Sequence, residues 1–277
     1  MTTFWLLLVL LSVGSACHAD RDIVYSARYY TLPGSHRTSH FHIYRINPDG
    51  TGRTQLTFGL DEEFPQWSAD GNQITFFAYH QMAPFVTLCT MDADGGRKRV
   101  LKILPPGIER PEPPTVAGYR LEDVDTENAA SERHILISLK TGQRLTIRAD
   151  DDTYPELLPM PGRHLIYADN RHNSTVGTDY AFYRLNPDNG NLHYLTEGQF
   201  LAWAPDGSHF CTAPGRDTTP YEKRKEPYPV QYFGQTDARY RSVWFAPLYV
   251  RAAAGGPMKQ ITPRLSYVTG ADWRKVK

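Results

Sequence analysis

The chain is short of cysteine, of net charge and of long apolar runs, and each shortage removes a class of protein. Three cysteines in 277 residues are too few for a disulfide framework. No C-x-x-C pair and no Cys/His zinc spacing is present, which argues against a structural zinc module. Thirty acidic residues balance thirty basic ones. That leaves no global field to attract nucleic acid or an anionic membrane. The one long apolar run, Phe4 to Val13, is too short to span a bilayer as a helix. No G-x-S-x-G motif occurs, so the sequence offers no nucleophile elbow.

What is present begins with that apolar run. Gly14-Ser15-Ala16-Cys17-His18-Ala19 follows it with small residues, the pattern of a cleaved secretory signal. No Lys or Arg precedes the run. We read residues 1–19 as a signal peptide and residues 20–277 as a single domain without a membrane span, periplasmic or secreted. Lipid anchoring through Cys17 is the alternative. Cys89 and Cys211 then remain, and both read as small buried hydrophobes in preference to a disulfide.

Turn residues recur in fixed order along the rest of the chain. Asp49-Gly50, Asp94-Gly95, Thr141-Gly142, Asn189-Gly190 and Gly255-Gly256 each follow an alternating apolar run. A polar run comes next, ending near Leu56-Thr57, Val100-Leu101, Leu145-Thr146, Leu195-Thr196 and Ile261-Thr262. Successive turns lie about 45 residues apart before the last, insertion-bearing interval, the period of a four-stranded propeller blade. A second signature opens each unit: Trp67-Ser68-Ala69-Asp70-Gly71, Trp203-Ala204-Pro205-Asp206-Gly207 and the degenerate Leu158-Pro159-Met160-Pro161-Gly162. Around Val116 to Val124 this slot has neither Trp nor an Asp-Gly turn, so that copy is the weakest. The Asp-Gly and Asn-Gly pairs suit type I′ hairpins, in which both central residues take positive φ. Each unit reads as strands A to D, with Trp on strand A. Tyr267 to Trp273 resembles a strand A with nothing after it, and Arg21 to Ser26 a strand B with nothing before it. Joined, they make one blade. The fold expected is all-β, a propeller of five four-stranded blades closed by its terminal strands. A sixth blade in Leu104 to Pro114 is the alternative, although its prolines make poor strand.

WSADGNQITFF, IYRINPDGTGRTQLT, WAPDG and LTEGQF resemble the TolB-like (WD40-like, PD40) propeller repeat. The resemblance covers nearly all of residues 20–277 and implies the fold. Members of that family include TolB, which binds the lipoprotein Pal, the propeller domains of prolyl peptidases, and oligogalacturonate lyases with a histidine-ligated metal. TolB itself would imply an α/β domain ahead of the propeller, where this chain begins directly with strand B.

Strand order divides the loops between two faces. The A–B and C–D turns share one face. The B–C loops and D–A links share the other, where loops on a rigid scaffold carry binding residues. The B–C loops run near Tyr29–His40, Tyr79–Pro84, Asp125–Arg133, Asn170–Asp179 and Pro214–Arg241. Their candidates for a binding face are Tyr29, Tyr30, His40, His42, Tyr79, His80, Arg171, His172, Tyr221, Tyr228, Tyr232, Phe233, Arg239 and Tyr240, types that anchor interfaces. The D–A links are acidic at Asp61-Glu62-Glu63, Asp150-Asp151-Asp152 and Glu197. Asp61, Glu63, Asp151 and Asp152 are candidates for a divalent cation, which takes oxygen ligands.

The reading is a non-enzymatic, monomeric, extracytoplasmic propeller that needs no cofactor and binds a protein or peptide through the B–C loop face. The alternative is a polysaccharide-binding or metal-dependent, lyase-like propeller acting on carbohydrate through its central funnel. Nucleic acid is not an expected partner.

Overall fold

The computed structural model describes residues 22–29, 40–59, 61–80, 85–105, 118–124, 133–148, 156–162, 165–173, 177–213, 246–263 and 266–275. These residues form nineteen strands, all paired antiparallel within five sheets. The first sheet runs β19 (Ser266–Trp273), β1 (Ile23–Tyr29), β2 (His42–Ile46), β3 (Thr54–Gln55). Next come β4 (Glu62–Trp67), β5 (Gln73–Tyr79), β6 (Val86–Asp92) and β7 (Arg99–Leu104) in the second sheet. Three described strands make the third sheet: β8 (Tyr119–Val124), β9 (Arg133–Ser138) and β10 (Arg144–Arg148). The fourth holds β11 (Glu156–Pro159), β12 (Leu165–Asn173), β13 (Gly177–Leu185) and β14 (Leu192–Gly198). The fifth is β15 (Ala202–Trp203), β16 (His209–Thr212), β17 (Tyr249–Ala252) and β18 (Lys259–Gln260). Consecutive meanders of this kind make a β-propeller.

The expected split blade is present. Ile23 pairs with Trp273 and Tyr29 with Ser266, and the Arg274 N–H donates to the Asp22 carbonyl at 2.8 Å. Both ends of the described chain therefore serve one sheet. The third sheet's described strands are β8, β9 and β10, and residues 106–117, with most of the proposed sixth blade, lie outside the described residues.

Four buried clusters lie between sheets. One joins the fifth sheet to the first through Ile23, Tyr25, Leu248, Ile261 and Trp273. Another joins the first to the second through Val24, Ile43, Leu56, Ile74 and Phe76. The third and fourth sheets share Leu136, Ile147, Leu165 and Tyr167, and the fourth and fifth meet around Phe182 and Trp203. Strand alternation supplies both faces of a sheet at once, since successive side chains point to opposite sides. Full burial of a side chain such as Phe76 or Phe182 contributes about 1.5–3 kcal/mol. Cys89 and Cys211 are buried in separate clusters and free.

Two repeated signals acquire physical meaning here. At Leu-Thr, the Thr57 hydroxyl accepts from the Ile43 N–H at 2.9 Å, and Thr262 does the same for Leu248 at 2.8 Å. The hydroxyl continues the ladder where strand D turns away, so no buried donor is left unpaired. The Asp-Gly turns depart from expectation. Gly50, Gly71, Gly95 and Gly207 have positive φ, whereas Phe64 and Arg97 are the non-glycine residues with positive φ among those described. These are therefore not type I′ turns. Each glycine N–H bonds the carbonyl three residues back, as from Gly71 to Ser68 at 2.9 Å. The preceding Asp stays at negative φ and accepts from the backbone N–H two residues on, as Asp70 does from Asn72 and Asp49 from Thr51. Aspartate is selected here for its Asx-turn carboxylate, glycine alone for the left-handed backbone.

Part of one expected loop is a strand pair. Residues 170–173 and 177–179 carry the β12–β13 pairing onward, with Arg171 opposite Asp179 and Asn173 opposite Gly177. Continued pairing satisfies these backbone groups. Glu197, read as part of a link, lies in β14 opposite Ala181.

Candidate functional site

At the first D–A link, on the B–C loop face, Arg28 and His40 meet Asp61, and His42 and Lys98 meet Glu62. The link's path follows from the Leu-Thr exit. Beyond Thr57 the chain crosses to β4, where the Glu62 N–H donates to the Phe41 carbonyl at 2.9 Å and the Tyr79 N–H to the Asp61 carbonyl at 2.7 Å. The start of β2, the end of β5 and the link are thereby tied together at one rim.

Three consecutive carboxylates take three different environments. Asp61 accepts from the Phe41 N–H at 3.0 Å. Its Oδ1 lies 3.4 Å from His40 Nδ1 and 3.8 Å from Arg28 Nη2. The Arg28 guanidinium stands 4.4 Å above the Phe41 ring, a favourable placement for a cation. Glu62 points inward and is 1% exposed. It pairs with Lys98, and His42 Nδ1 stands 3.7 Å from its other oxygen. Burial raises the Glu62 carboxyl, but His42, Lys98 and Thr57 outweigh it, and the net shift is downward. Glu63 is half-buried and moves the opposite way. Burial raises it and the Asp61 charge adds to the rise, against the lowering effects of Thr269 and Arg28.

A strained backbone sets this divergence. Phe64 has φ 53° ahead of Pro65, costing roughly 1–2 kcal/mol for a residue with a Cβ. The β4–β5 register shifts between Glu63 and Gln66, the mark of a bulge. Facing it, β19 carries a second bulge at Thr269. The Thr269 and Ser26 hydroxyls bond at 2.8 Å, and Ser26 Oγ accepts from the Phe64 N–H at 3.3 Å. The two innermost strands of neighbouring sheets are thus held by Ser26, Thr269 and Glu63.

The residues proposed from sequence fall into distinct places. His40 and His42 reach the link and face Asp61 and Glu62, joining two sets of candidates that the sequence kept apart. Tyr79 joins the same rim through its backbone. His80 Nε2 lies 2.8 Å from the Thr87 hydroxyl, with its ring 4.9 Å from Phe85. Tyr29 turns into the core between the fifth and first sheets. Its hydroxyl meets that of Tyr25 at 2.6 Å, its ring stands edge-on to Tyr44, and Arg53 covers it at 4.9 Å. Arg171 and His172 take positions on β12. Tyr30, Asp151, Asp152, Tyr221, Tyr228, Tyr232, Phe233, Arg239 and Tyr240 lie outside the described residues. Among the described residues no three His, Cys, Asp or Glu side chains are placed to hold a metal ion, and no helix is long and apolar enough to cross a membrane.

Arg28, Glu62 and Lys98 belong to this site and were not among the candidates. Period-two alternation carried a signal for Arg28, because Ser26 and Arg28 share one side of β1. Lys98 had none, as it comes from the far edge of the second sheet. Chemically, the Asp61 carboxylate fixes an imidazole and a guanidinium at a rim where their side chains remain 32% and 21% exposed. Such a pair suits recognition of a carboxylate or carbonyl group.

No family model matches the chain, and no curated protein matches it. Solved structures similar to it include TolB from Acinetobacter baumannii, with 16% identity over 87% of this chain and 53% of that one and a TM-score of 0.33. The chain spans about half the length of that TolB structure. A nidogen/laminin complex matches with 10% identity, 92% and 98% coverage and a TM-score of 0.39. An oligogalacturonate lyase in complex with manganese matches with 14% identity, 86% and 78% coverage and a TM-score of 0.32. These are likenesses of fold. The propeller assignment rests on this chain's own sheet order and registers.

Proposed function

We propose that the chain is a non-enzymatic, extracytoplasmic propeller that binds a protein or peptide through the face bearing its B–C loops and first D–A link. The Arg28–His40–Asp61 group carries this reading. A carboxylate holds two hydrogen-bond donors at a half-exposed rim, and Arg28 is backed by the aromatic face of Phe41. An arginine that is already oriented loses less freedom on binding and makes an effective interface anchor.

Capture of partners from an envelope extract tests the reading. The intact chain should retain a protein that is lost when 214–241 is deleted. Arg28→Ala should weaken retention by about tenfold, the effect of a modest hot spot. A partner retained equally by both variants overturns the face assignment. The same preparation also tests the polysaccharide reading. Stoichiometric divalent metal, lost on Asp61→Asn, Asp151→Asn or His42→Ala, would favour that rival.

A further inference from the structure

The C–D turn of one sheet docks on the end of strand D in the sheet before it. Gly95 of the second sheet sits against Leu56 of the first, such that an added Cβ would lie 2.9 Å from the Leu56 carbonyl. Gly50 meets Ile261, and Gly190 meets Thr146 and Leu145, in the same relation. Arginines repeat the contact: Arg45 donates to the Ala93 carbonyl, and Arg251 to the Leu195 carbonyl.

Between the second and third sheets this docking is missing among the described residues. An added Cβ at Gly142 would meet nothing within 4 Å. None of the four buried clusters bridges these sheets. By register the buried Leu-Thr corresponds to Leu101-Lys102, of which Leu101 is 50% exposed, with Val100 at 59% and Ile103 at 62% on the same strand. At the corresponding positions, Leu56, Thr57, Leu195, Thr196, Ile261 and Thr262 are all buried. β7 is also the last strand of its sheet, so its outer edge presents backbone donors and acceptors to an incoming strand. Arg99 and Lys102 stand exposed beside the apolar side chains, and Arg97, in the turn before them, pairs with Asp92.

We infer that the β7 edge is a second binding surface, independent of the loop face, which takes an extended acidic and apolar peptide segment of a partner as an added strand. The apolar residues of that segment cover Val100, Leu101 and Ile103, and its carboxylates face Arg99 and Lys102. Backbone pairing supplies affinity, and the alternating side chains supply selectivity. Charge decides against a second copy of this chain, because two β7 strands side by side would set like charges together, which is destabilising.

Two fluorescein-labelled peptides of alternating Val and Glu, or alternating Val and Lys, serve as probes for the intact chain. Fluorescence anisotropy should show the Glu peptide binding at least about tenfold more tightly, with the preference weakening as salt rises. Arg99→Glu combined with Lys102→Glu should reverse the order. Val100→Ser combined with Ile103→Ser should weaken the Glu peptide by about tenfold or more at an unchanged melting temperature. Amide exchange should slow at 99–104 on binding, and Arg28→Ala should leave the affinity unaltered. Equal binding of both peptides, an order that survives the charge reversal, or protection outside 99–104 would each overturn the inference. So would a dimer by sedimentation that the Ile103→Ser variant abolishes, or stronger binding to phosphatidylserine vesicles than to the Glu peptide.

Discussion

The junction between the first and second sheets and that between the second and third begin from the same repeat and end differently. At the first, Leu56, Ile43, Ile74 and Phe76 are buried, Gly95 abuts the Leu56 backbone, and Glu62 is held by Lys98 and His42. At the second, a Cβ added at Gly142 would meet nothing within 4 Å, and Val100, Leu101 and Ile103 are exposed. Each dispensable docking contact leaves apolar surface exposed, and persistent exposed apolar surface marks a place of interaction. A departure from the repeat is therefore informative in proportion to how closely the other copies keep it.

The largest effect should come from removing the strand that supports the closed junction. Deleting 266–273 strips β19 from the first sheet and from its contact with β4. The expected outcome is loss of the cooperative melting transition by circular dichroism. Retention of a sharp transition would show that the first junction does not depend on β19.

Next in size, Phe76→Ala should cost about 3–5 kcal/mol in urea unfolding, since a buried ring leaves a cavity. Ile103→Ala on β7 should stay within about 0.5 kcal/mol. Similar costs at the two positions would erase the contrast between the junctions.

A glycine pair sharpens the same contrast. Both Gly95 and Gly142 have positive φ, so alanine at either costs roughly 1–2 kcal/mol in backbone strain. Gly95→Ala adds a clash with the Leu56 carbonyl at 2.9 Å, whereas Gly142→Ala meets nothing. Unfolding curves should rank Gly95→Ala as the more damaging.

The smallest effect separates the adjacent carboxylates by pH. Glu62 is lowered in the folded chain, so its stabilising contribution is present above its unfolded value and fades as pH falls through the folded one. Glu63 is raised, so its contribution is present below the unfolded value and is lost as pH rises through the folded one. Glu62→Gln should therefore lower the melting temperature at pH 7 more than at pH 3, and Glu63→Gln should raise it at pH 7. Shifts of the same sign in both variants would show that the two environments are not distinct. Asp70, held down to about 2 by hydrogen bonds from Ser68 and Asn72, should still be ionised at pH 3 by NMR titration.

The fold was largely legible because its signals are local and recur. Trp67, Trp203 and Trp273 each end a strand, the glycine turns join strands, and the terminal half-copies pair as read. Turn type was misread at Asp49, Asp70 and Asp206 because Asp-Gly also satisfies a turn in which only glycine is left-handed. The site was legible in part. His40, His42 and Asp61 were picked out separately, but the hydrogen bonds that bring them together span strands and have no fixed sequence spacing. Lys98 reaches Glu62 from 36 residues away. The exposed β7 face could not be foreseen at all. Leu101 keeps the apolar letter of the repeat, and nothing in the sequence marks it as exposed.

The shared first sheet has a consequence for the order of events in the life of the chain. Ser26 and Thr269 touch across 243 positions, so β1 emerges early and waits for its innermost neighbour until nearly all of the intervening chain has been made. During that interval its edge is unpaired and able to join a wrong strand, and contacts of such high sequence separation slow folding. Assembly of the first sheet therefore waits on the synthesis of residues 266–273, and a product stalled before them should aggregate with that side of β1 unpaired.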